Sequence, residues 1–551
     1  MADLAFLWHM HQPDYRHPES GQFILPWVLL HAIKDYADMA AHLEHHPKIR
    51  CTVNFVPVLL DQIEDYCDQF ASSQWRDPLL RIVSAPEPHS LPQADRDWLL
   101  DMAFRCHAPT MVEPYAPYRR LRDTLACVRA HDGNGLNYLS GAYMADLATW
   151  YLLTWSGESL RRDGKVVPEL MARGVNFTIA DRQALLDELG AIMAGLIPRY
   201  RALAARGQVE LSCTPEAHPL APLLIDFKSA REAWPECQLP AAPEYPGGSS
   251  RVAAHLTAAR ESHQRRFGTP PVGLWPAEGA LSTPFLNQIA NAGLRWTASS
   301  HSVLKHSAGS DAQTTVPWQA PAGTPGDITL FFRNEQLSDL IGFEYANWHG
   351  RDAAHHFMGE LAAIHHQDPH NLIPVFLDGE NAWEYYPYNG WHFFRDLYEE
   401  LEKNPDIRTV TLSEAATAHH DRRASLPHLT AGSWVYGTLS TWIGNPDKNR
   451  AWELLCDVKQ CADRALNTSR LSEAEQEEVL RRLTSCESSD WFWWFGDYNS
   501  PQSVACFDDL FRENLKALYR LLRLPHPDTL DHPISHGGGT PESGGTMRRA
   551  T

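Results

Sequence analysis

The sequence lacks the paired-cysteine motifs that mark structural zinc sites and thiol redox centres. Its ten cysteines are scattered, and no two of them form a C-x-x-C pair. This spacing excludes zinc-ribbon and thioredoxin-type functions. Scattered thiols are typical of a reducing compartment, so we predict a cytoplasmic protein whose cysteines do not form disulfides.

Long hydrophobic runs are also missing. The most apolar stretch, residues 139–155, is too short to span a bilayer, and it contains Asp146. The first residues, MADLAFLWHMHQPDYR, show no basic segment followed by an apolar run and a small-residue cleavage site. We therefore predict neither a membrane anchor nor an export signal.

Positive charge is scarce relative to negative charge. The chain has 48 Lys and Arg against 68 Asp and Glu, which gives a formal net charge of −20. An acidic surface repels phosphate backbones, so nucleic acid is disfavoured as a partner. The charge places no restriction on a neutral substrate.

Apolar and aromatic residues, by contrast, are abundant. Of the 551 residues 44% are hydrophobic and 21% charged, which suits a large core that needs neither disulfides nor metal. A chain of this length allows roughly three or four domains, although one α/β barrel with insertions accounts for much of it equally well. The 19 Trp, 18 Tyr and 20 Phe suit either a large core or a sugar-binding site, whose ligand presents apolar C–H faces.

Strands alternate with helices along the chain, which predicts an α/β fold with parallel pairing. The first strand, residues 4–8, is apolar throughout, as a strand buried on both faces would be. A helix from Arg182 to about Arg206 ends at Gly207 and leads into the next strand. The remaining predicted strands are 208–212, 272–275, 294–298, 372–377 and 407–412.

The same patterns suggest a division into domains. We assign residues 1–425 to a barrel that carries a helical, proline-punctuated insertion at about 58–135. Residues 426–524 show helical patterns without a good strand, so we predict a helical region there. The last stretch, residues 525–551, contains GGGTPESGG and is predicted to be a disordered tail.

Ionisable residues follow several predicted strands, and in a parallel α/β barrel such loops form the ligand site. Two of these clusters hold a carboxylate close to tryptophan: Glu278 follows Trp275, and Asp378 precedes Trp383. Glycoside hydrolysis needs two carboxyl groups, one to attack the anomeric carbon or activate water and one to protonate the departing oxygen. Nearby aromatic residues position the sugar and raise the pKa of the carboxyl that must stay protonated.

The pair His9 and His11 supports a rival hypothesis. Histidines two residues apart at a strand end point the same way and can chelate a metal, as in a metal-dependent barrel hydrolase. Asp378 could be a further ligand, but no later predicted strand ends in an obvious histidine ligand. A third hypothesis, a carbohydrate-binding protein without turnover, is disfavoured by the presence of both carboxylates.

Five stretches together resemble glycoside hydrolase family 57, which contains α-glucan-active amylases, amylopullulanases, 4-α-glucanotransferases and branching enzymes. They occur in the family's order between residues 8 and 497: WHMHQP, GQVEL, GLWPAEG, FLDGENAWEYYP and SDWFWWFGD. Two weaker stretches, LSDLIGFEY and GSWVYGTLSTWIGNPDKNRAW, look most like the amylase and amylopullulanase branch. The resemblance implies an incomplete (β/α)7 barrel followed by a helical region that closes part of the cleft.

The resemblance also implies a mechanism that retains anomeric configuration, without metal or cofactor. By motif position, Glu278 matches the nucleophile and Asp378 the general acid/base. The nucleophile must be ionised, so we expect donors such as histidine to keep the pKa of Glu278 low, and the Glu278 charge to raise the pKa of Asp378. The residues assigned to substrate binding or its support are His9, His11, Glu210, Trp275, Glu380, Trp383, Asp490 and Trp493.

The leading prediction is therefore a retaining hydrolase of α-glucans that cuts α-1,4 bonds, with α-1,6 bonds as a second linkage. The nearest alternative is a 4-α-glucanotransferase or branching enzyme of the same family, in which a sugar hydroxyl replaces water as the acceptor. The partner in either case is an α-glucan oligo- or polysaccharide. The sequence does not predict an oligomeric state.

Overall fold

A computed structural model of the protein describes residues 1–131, 133–468 and 470–539. At its centre is a curved sheet in which these residues form ten strands. The bounds are β1 Ala2–Met10, β2 Cys51–Phe55, β3 Val209–Cys213, β4 Gly273–Leu274, β5 Trp296–Ser300, β6 Trp318–Gln319, β7 Thr329–Arg333, β8 Leu372–Asp378, β9 Ile407–Thr409 and β10 Ala424–Ser425.

Seven of the strands form a parallel sheet in the order β7-β5-β4-β3-β2-β1-β8. The two end strands approach each other, and the backbone N–H of Asn334 donates to the carbonyl of Pro374 at 2.8 Å. Among the described residues no strand pairing joins β7 to β8, so the barrel is incomplete. The predicted α/β fold, an incomplete (β/α)7 barrel with a C-terminal helical region, is confirmed.

Strands β1 and β8 are buried along their whole length. Both are almost continuously apolar, as expected where helices cover both faces of a parallel sheet. Their registers place His9 beside Asp378 on one side and beside Asn54 on the other. The C-terminal ends of β8, β1 and β2 therefore lie at the same height.

Helices surround the sheet, and none in the described part of the chain is long and apolar enough to cross a membrane. The described residues of the insertion between β2 and β3 form helices joined by loops, with bounds Pro57–Ser72, Pro78–Ser84, Gln93–Met102, Ala108–Met111, Ala116–His131, Gly141–Thr154, Glu158–Asp163, Val166–Arg173 and Ile179–Ala205. The other α-helices before the C-terminal region are Trp27–His31, Ala37–His45, Ala221–Ile225, Ala230–Ala233, Gly248–Phe267, Thr283–Asn291, His301–Ala308, Glu335–Asp339, Gly350–Gln367, Trp391–Lys403 and Leu412–Ala418.

The helix Ile179–Ala205 shows why the sequence folds as it does locally. Thr178 and Asp181 form a reciprocal capping box at its start. Gly207, at a φ of 73°, ends it and leads directly into β3. The prediction of this helix and of the strand after it is confirmed.

The C-terminal region contains the helices Pro446–Leu466, Glu473–Cys486, Asp490–Trp494 and Pro501–Leu521. The chain beyond them differs from the predicted disordered tail over residues 525–539. Leu530 is fully buried there, and Ser535 both accepts from the backbone of Gly496 and donates to Asp447. These contacts give residues 525–539 a fixed place on the helices, and residues 540–551 lie outside the described residues.

A buried ion pair connects this helical region to the barrel. Glu487, which follows the helix Glu473–Cys486, accepts bonds from Arg251, His255 and Tyr245 at 2.5–3.1 Å. The Arg251 charge and the His255 bond outweigh burial and lower the pKa of Glu487 to about 2. Asp490 lies three residues after Glu487. The buried ion pair of Glu487 therefore anchors a segment that reaches the cleft described below.

Glu487→Gln is expected to lower the free energy of unfolding by about 3 kcal/mol, because it leaves Arg251 buried without its counter-charge. Tyr245→Phe removes only one hydrogen bond and should cost about 1 kcal/mol. The contribution of ionised Glu487 to the free energy of unfolding is fully present at neutral pH. It is lost as the pH falls from about 4.5, the usual pKa of a glutamate, towards the lowered pKa of about 2. Denaturant unfolding of both variants at pH 7 checks the prediction, and equal losses would contradict it.

Candidate active site

A cavity of about 710 Å³ lies beyond the C-terminal ends of the barrel strands. Residues from β1, β7 and β8, from the loops after β3 and β4, and from the C-terminal helical region line it. This is where a parallel α/β barrel is expected to bind its ligand. Among the lining residues are His9, His11, Glu278, Asp378, Trp434 and Asp490.

Asp378 is the last residue of β8, and its side chain faces this cavity. Its Oδ2 accepts a bond from the Asn381 amide at 2.9 Å. Burial raises the pKa of Asp378 to about 6, although the Asn381 bond and the charges of His11 and Arg333 oppose the shift. The predicted direction is therefore found, but the main cause is burial rather than the charge of Glu278.

Glu278 follows β4 in a tight turn, where its own φ is 58°. This is an uncommon backbone conformation for a residue with a side chain. The Trp434 indole N–H donates to Glu278 Oε2 at 3.0 Å, and the Trp434 backbone N–H donates to the Glu278 carbonyl at 3.0 Å. Both the carboxylate and the backbone of Glu278 are thus held by one residue of the C-terminal region.

The pKa of Glu278 is raised to about 8, by burial first and then by the charges of Asp490 and Asp378. We had expected histidines to keep it low, and that expectation is wrong. Burial lowers the pKa of His9 to about 3 and that of His218 well below its usual range, so both rings are neutral. The proton is thus held more tightly on Glu278 than on Asp378.

Three histidines lie together beside these carboxyl groups. His9 Nδ1 is 2.6 Å from Asn54 Oδ1, and His9 Nε2 is 3.1 Å from Nε2 of His218. The His11 ring stacks on the His218 ring, with the two ring centroids 3.7 Å apart. The Nε2 atom of His11 lies 3.0 Å from both carboxylate oxygens of Asp490. Both ring nitrogens of His9 are occupied by protein groups, so His9 acts within the wall of the cavity.

His11, His218 and Asp490 bring three ligand-type atoms within 4.8 Å of one another, so they are the natural test of the metal hypothesis. The two rings are nearly parallel, with an interplanar angle of 17°. A histidine nitrogen binds a metal along its lone pair, which lies in the plane of the ring. In two parallel rings these planes do not meet, so a metal about 2.0–2.1 Å from each nitrogen could not lie in both ring planes. This arrangement does not fit a metal, and the pair proposed from the sequence, His9 with His11, is not the one that converges.

Glu380 and Trp493 also line the cavity. Glu380 Oε1 accepts from the His11 backbone at 3.2 Å and from Gln12 at 3.5 Å. Burial and the charge of Asp378 raise the pKa of Glu380 well above its usual range. Of the residues assigned from the sequence, the structure therefore brings together His9, His11, Glu278, Asp378, Glu380, Asp490 and Trp493.

Three assigned residues do not line the cavity. Glu210 pairs in register with Thr52, two residues below the height of His9, and its carboxylate accepts from Trp296 and Ser413. Trp275 is fully buried, and its ring centroid lies 5.2 Å from the ring centroid of Trp434. Trp383 is buried against Trp8, and its indole N–H donates to the Gly379 carbonyl. These three lie behind the cavity lining, where they support the walls and the loop after β8.

Three residues at the site were not assigned from the sequence. Trp434 lies within the GSWVYG stretch, and Ser489 heads SDWFWWFGD, so both were inside recognised segments. His218 belongs to the polar cluster after β3, but nothing in its sequence neighbours indicated a contact with His9. Ser489 Oγ lies 2.8 Å from His218 Nδ1 and 3.4 Å from Glu278 Oε1.

Residues 5–427 match the family described as Glycosyl hydrolase family 57. The chain belongs to this family. The match runs from within β1 to the end of β10 and includes both Glu278 and Asp378, and it ends before the segment that supplies Trp434 and Asp490. The predicted family is thereby confirmed.

Solved structures of this family have the same fold at low identity. The branching enzyme from Thermococcus kodakaraensis is 15% identical, with a TM-score of 0.58 over 94% of this chain and 90% of that one. The α-amylase AmyC from Thermotoga maritima is 13% identical, with a TM-score of 0.56 over 95% and 93%. The 4-α-glucanotransferase from Thermococcus litoralis is 14% identical, with a TM-score of 0.54 over 94% of this chain and 60% of that one.

Proposed function

We propose that this family 57 member is a retaining glycosidase of α-glucans, of the amylase or amylopullulanase type, working by double displacement. The observation that carries the proposal is the pair Glu278 and Asp378 in one cavity, with their charges close enough to affect each other. Similar structures include an α-amylase, a branching enzyme and a glucanotransferase, which supports an α-glucan as the substrate. The cysteine pattern favours a cytoplasmic setting, in which the glucan is a storage polysaccharide or its fragments.

In the first half of the proposed reaction, the carboxylate of Glu278 attacks the anomeric carbon while Asp378 protonates the departing glycosidic oxygen. The glycosyl group is then bonded to Glu278. In the second half, Asp378 accepts a proton from water as that water attacks the same carbon and releases Glu278. Trp434, bonded to Glu278 Oε2, fixes the nucleophile during both steps.

The other lining residues have binding roles in this proposal. Glu380, His11 and Asp490 offer acceptors and donors for sugar hydroxyls, while Trp493 offers an aromatic wall. Trp155 of the helical insertion and Trp27 of the helix Trp27–His31 also line the cavity, and they are assigned to sugars further from the scissile bond. An acceptor sugar bound there in place of water would make the enzyme a transferase, which is the second candidate.

Incubation with maltoheptaose, and separately with pullulan, is expected to give shorter oligosaccharides, and a chelator should leave the rate unchanged. The products are separated by chromatography, with the Glu278→Gln protein as the blank. Products longer than seven sugars would replace the hydrolase with a glucanotransferase or branching enzyme. Loss of activity on chelation would favour the metal-dependent hydrolase, and no product from either glucan would reject an α-glucan substrate.

A further inference from the structure

His31, the last residue of the helix Trp27–His31, lines the cavity and has no part in the chemistry described above. Its Nδ1 atom lies 2.6 Å from Oδ2 of Asp35, and Oδ1 of Asp35 accepts from the Lys34 ammonium at 2.5 Å. Lys34 and Asp35 are buried, and they belong to the π-helical turn Ala32–Tyr36, a distortion that is frequent at functional sites. One nitrogen of the His31 ring therefore has a fixed partner inside the protein.

The Asp35 bond decides what the other nitrogen of His31 offers. An ionised carboxylate can only accept, so the hydrogen of this bond is on Nδ1 of His31. In a neutral ring Nε2 then presents a lone pair, which accepts from a hydroxyl group. In the described part of the chain no protein group forms a hydrogen bond with this Nε2 atom.

Two aromatic residues of the cavity stand beside this histidine. The ring centroid of Trp27 lies 6.3 Å from that of His31, and the ring centroid of Trp155 lies 5.3 Å from it. The Lys34 ammonium lies over the Trp155 ring at 5.1 Å, which holds the indole in place. An acceptor between aromatic rings suits a sugar, because a sugar presents both hydroxyl donors and apolar C–H faces.

The loop after β8 places this group on the same side of the cleft as Asp378. The loop begins at Asp378, the proposed acid, and returns to the His31 cluster at Asn389, whose Oδ1 accepts from Lys34 at 2.9 Å. Between these two points Glu384 lines the cavity and accepts from the backbone N–H of His107 in the helical insertion at 3.1 Å. The loop, the insertion and the His31 cluster thus form one wall of the cavity.

The wall beside Glu278 is built from another part of the chain. Trp434, from the segment after the barrel, donates to Glu278 Oε2. In glycoside hydrolysis the acid contacts the glycosidic oxygen, while the nucleophile bonds to the sugar on the non-reducing side of that oxygen. The sugar beyond the oxygen, which departs in the first step, therefore extends along the wall that carries Asp378 and His31.

We propose that His31 binds a hydroxyl group of the departing glucan, on the reducing-end side of the scissile bond, and holds an acceptor sugar there after the first displacement. The proposal rests on the proposed function, because it divides the cleft at the bond that Glu278 and Asp378 cleave. In the transfer reaction a hydroxyl of the held sugar attacks the anomeric carbon, loses its proton to Asp378 and releases the Glu278 carboxylate. His31 therefore favours transfer to a sugar over transfer to water.

Two substitutions separate the two nitrogens of His31. His31→Asn keeps an amide near the Nδ1 position, which can still donate to Asp35, and removes the atom at the Nε2 position. His31→Gln places an amide oxygen near the Nε2 position, where it can accept, and gives up the Asp35 bond. His31→Asn should weaken the binding of maltoheptaose about fivefold, the loss of one typical hydrogen bond, and His31→Gln should weaken it less.

Calorimetric titration of maltoheptaose into proteins that also carry Glu278→Gln measures this affinity without turnover. The matched control is His45→Asn, at an exposed position of the helix Ala37–His45, and it should leave the affinity unchanged. An unchanged affinity in His31→Asn, or a larger loss in His31→Gln than in His31→Asn, would overturn the role of Nε2. His31→Asn decides alone should His31→Gln not fold, because it keeps the Asp35 bond.

An aryl α-maltoside tests the side of the cleft, because its leaving group is not a sugar. His31→Asn should lower kcat/KM on maltoheptaose about fivefold, and on the aryl maltoside far less. With maltotriose added as the acceptor, it should also lower the ratio of transfer to hydrolysis. Equal losses on the two substrates would place His31 on the non-reducing side and overturn the assignment. Cleavage of neither substrate would reject the proposed function and this assignment of sides, and the calorimetry would still decide whether His31 binds glucan.

Discussion

Glu278→Gln is expected to lower kcat on maltoheptaose by about four orders of magnitude or more, while glucan affinity stays within a few-fold. Glutamine keeps the shape of the side chain, and its amide oxygen can still accept from the Trp434 indole. An amide cannot form the glycosyl ester, so the first displacement is lost. Single-turnover kinetics and calorimetric titration with the intact oligosaccharide measure the two effects separately.

Glu210→Gln is the matched control for this variant. Glu278 follows a barrel strand, whereas the half-buried Glu210 lies within one and bonds Ser413 and Trp296 below the cavity. Loss of the Glu210 carboxylate should lower the free energy of unfolding and leave kcat within about tenfold of the wild-type value. A Glu278→Gln protein with appreciable turnover would place the nucleophile elsewhere, and an equal loss in Glu210→Gln would point to a general structural effect.

The barrel could be predicted because its main strands carry a strong local signal. Residues 372–377 are apolar throughout, and β8 occupies Leu372–Asp378. β2 and β7 were not predicted. In β2 the polar residues Thr52 and Asn54 interrupt the apolar pattern because they point into the barrel, where Asn54 meets His9. Such a residue looks like a surface position until the partner strand is known.

The same limit explains why the candidate site was predicted only in part. Asp378 ends its strand and Glu278 follows the end of another, and both line the cavity because strand ends fix the height of the residues there. Glu210 lies within its strand, and a step of two residues moves a side chain about 7 Å down the barrel. Trp275 and Trp383 stand beside carboxylates in sequence but turn into the core, since tertiary packing decides which face an aromatic ring takes.

Local sequence patterns could not predict the contacts that the C-terminal helical region makes with Glu278. Trp434 reaches Glu278 across 156 residues of chain and Ser489 reaches it across 211. Family resemblance indicated that Asp490 belongs near the site, and it does line the cavity. The resemblance did not indicate the opposing histidine rings, whose arrangement depends on burial and on the single hydrogen between them.

Asp378→Asn is expected to slow cleavage of maltoheptaose by about 10²- to 10⁴-fold, the usual contribution of a general acid. Aryl glycosides with good leaving groups need little protonation, so their first step should slow far less. The wild-type rate should fall as the pH rises through the pKa of Asp378, because the acid must be protonated, and this alkaline limb should be absent in Asp378→Asn. Rates on both substrates between pH 4 and pH 9 check the prediction.

This comparison also decides between the two possible assignments of the pair. The pKa of Glu278 is about 8 and that of Asp378 about 6, an order that by itself suits Glu278 as the acid. Because the two groups interact, their titration belongs to the pair, and the order of the two pKa values does not by itself assign the roles. If the roles were exchanged, Asp378→Asn would abolish turnover of both substrates and Glu278→Gln would spare the aryl glycoside. Glu278 as the nucleophile and Asp378 as the acid require the opposite pattern, so the rates of the two variants on the two substrates identify the nucleophile.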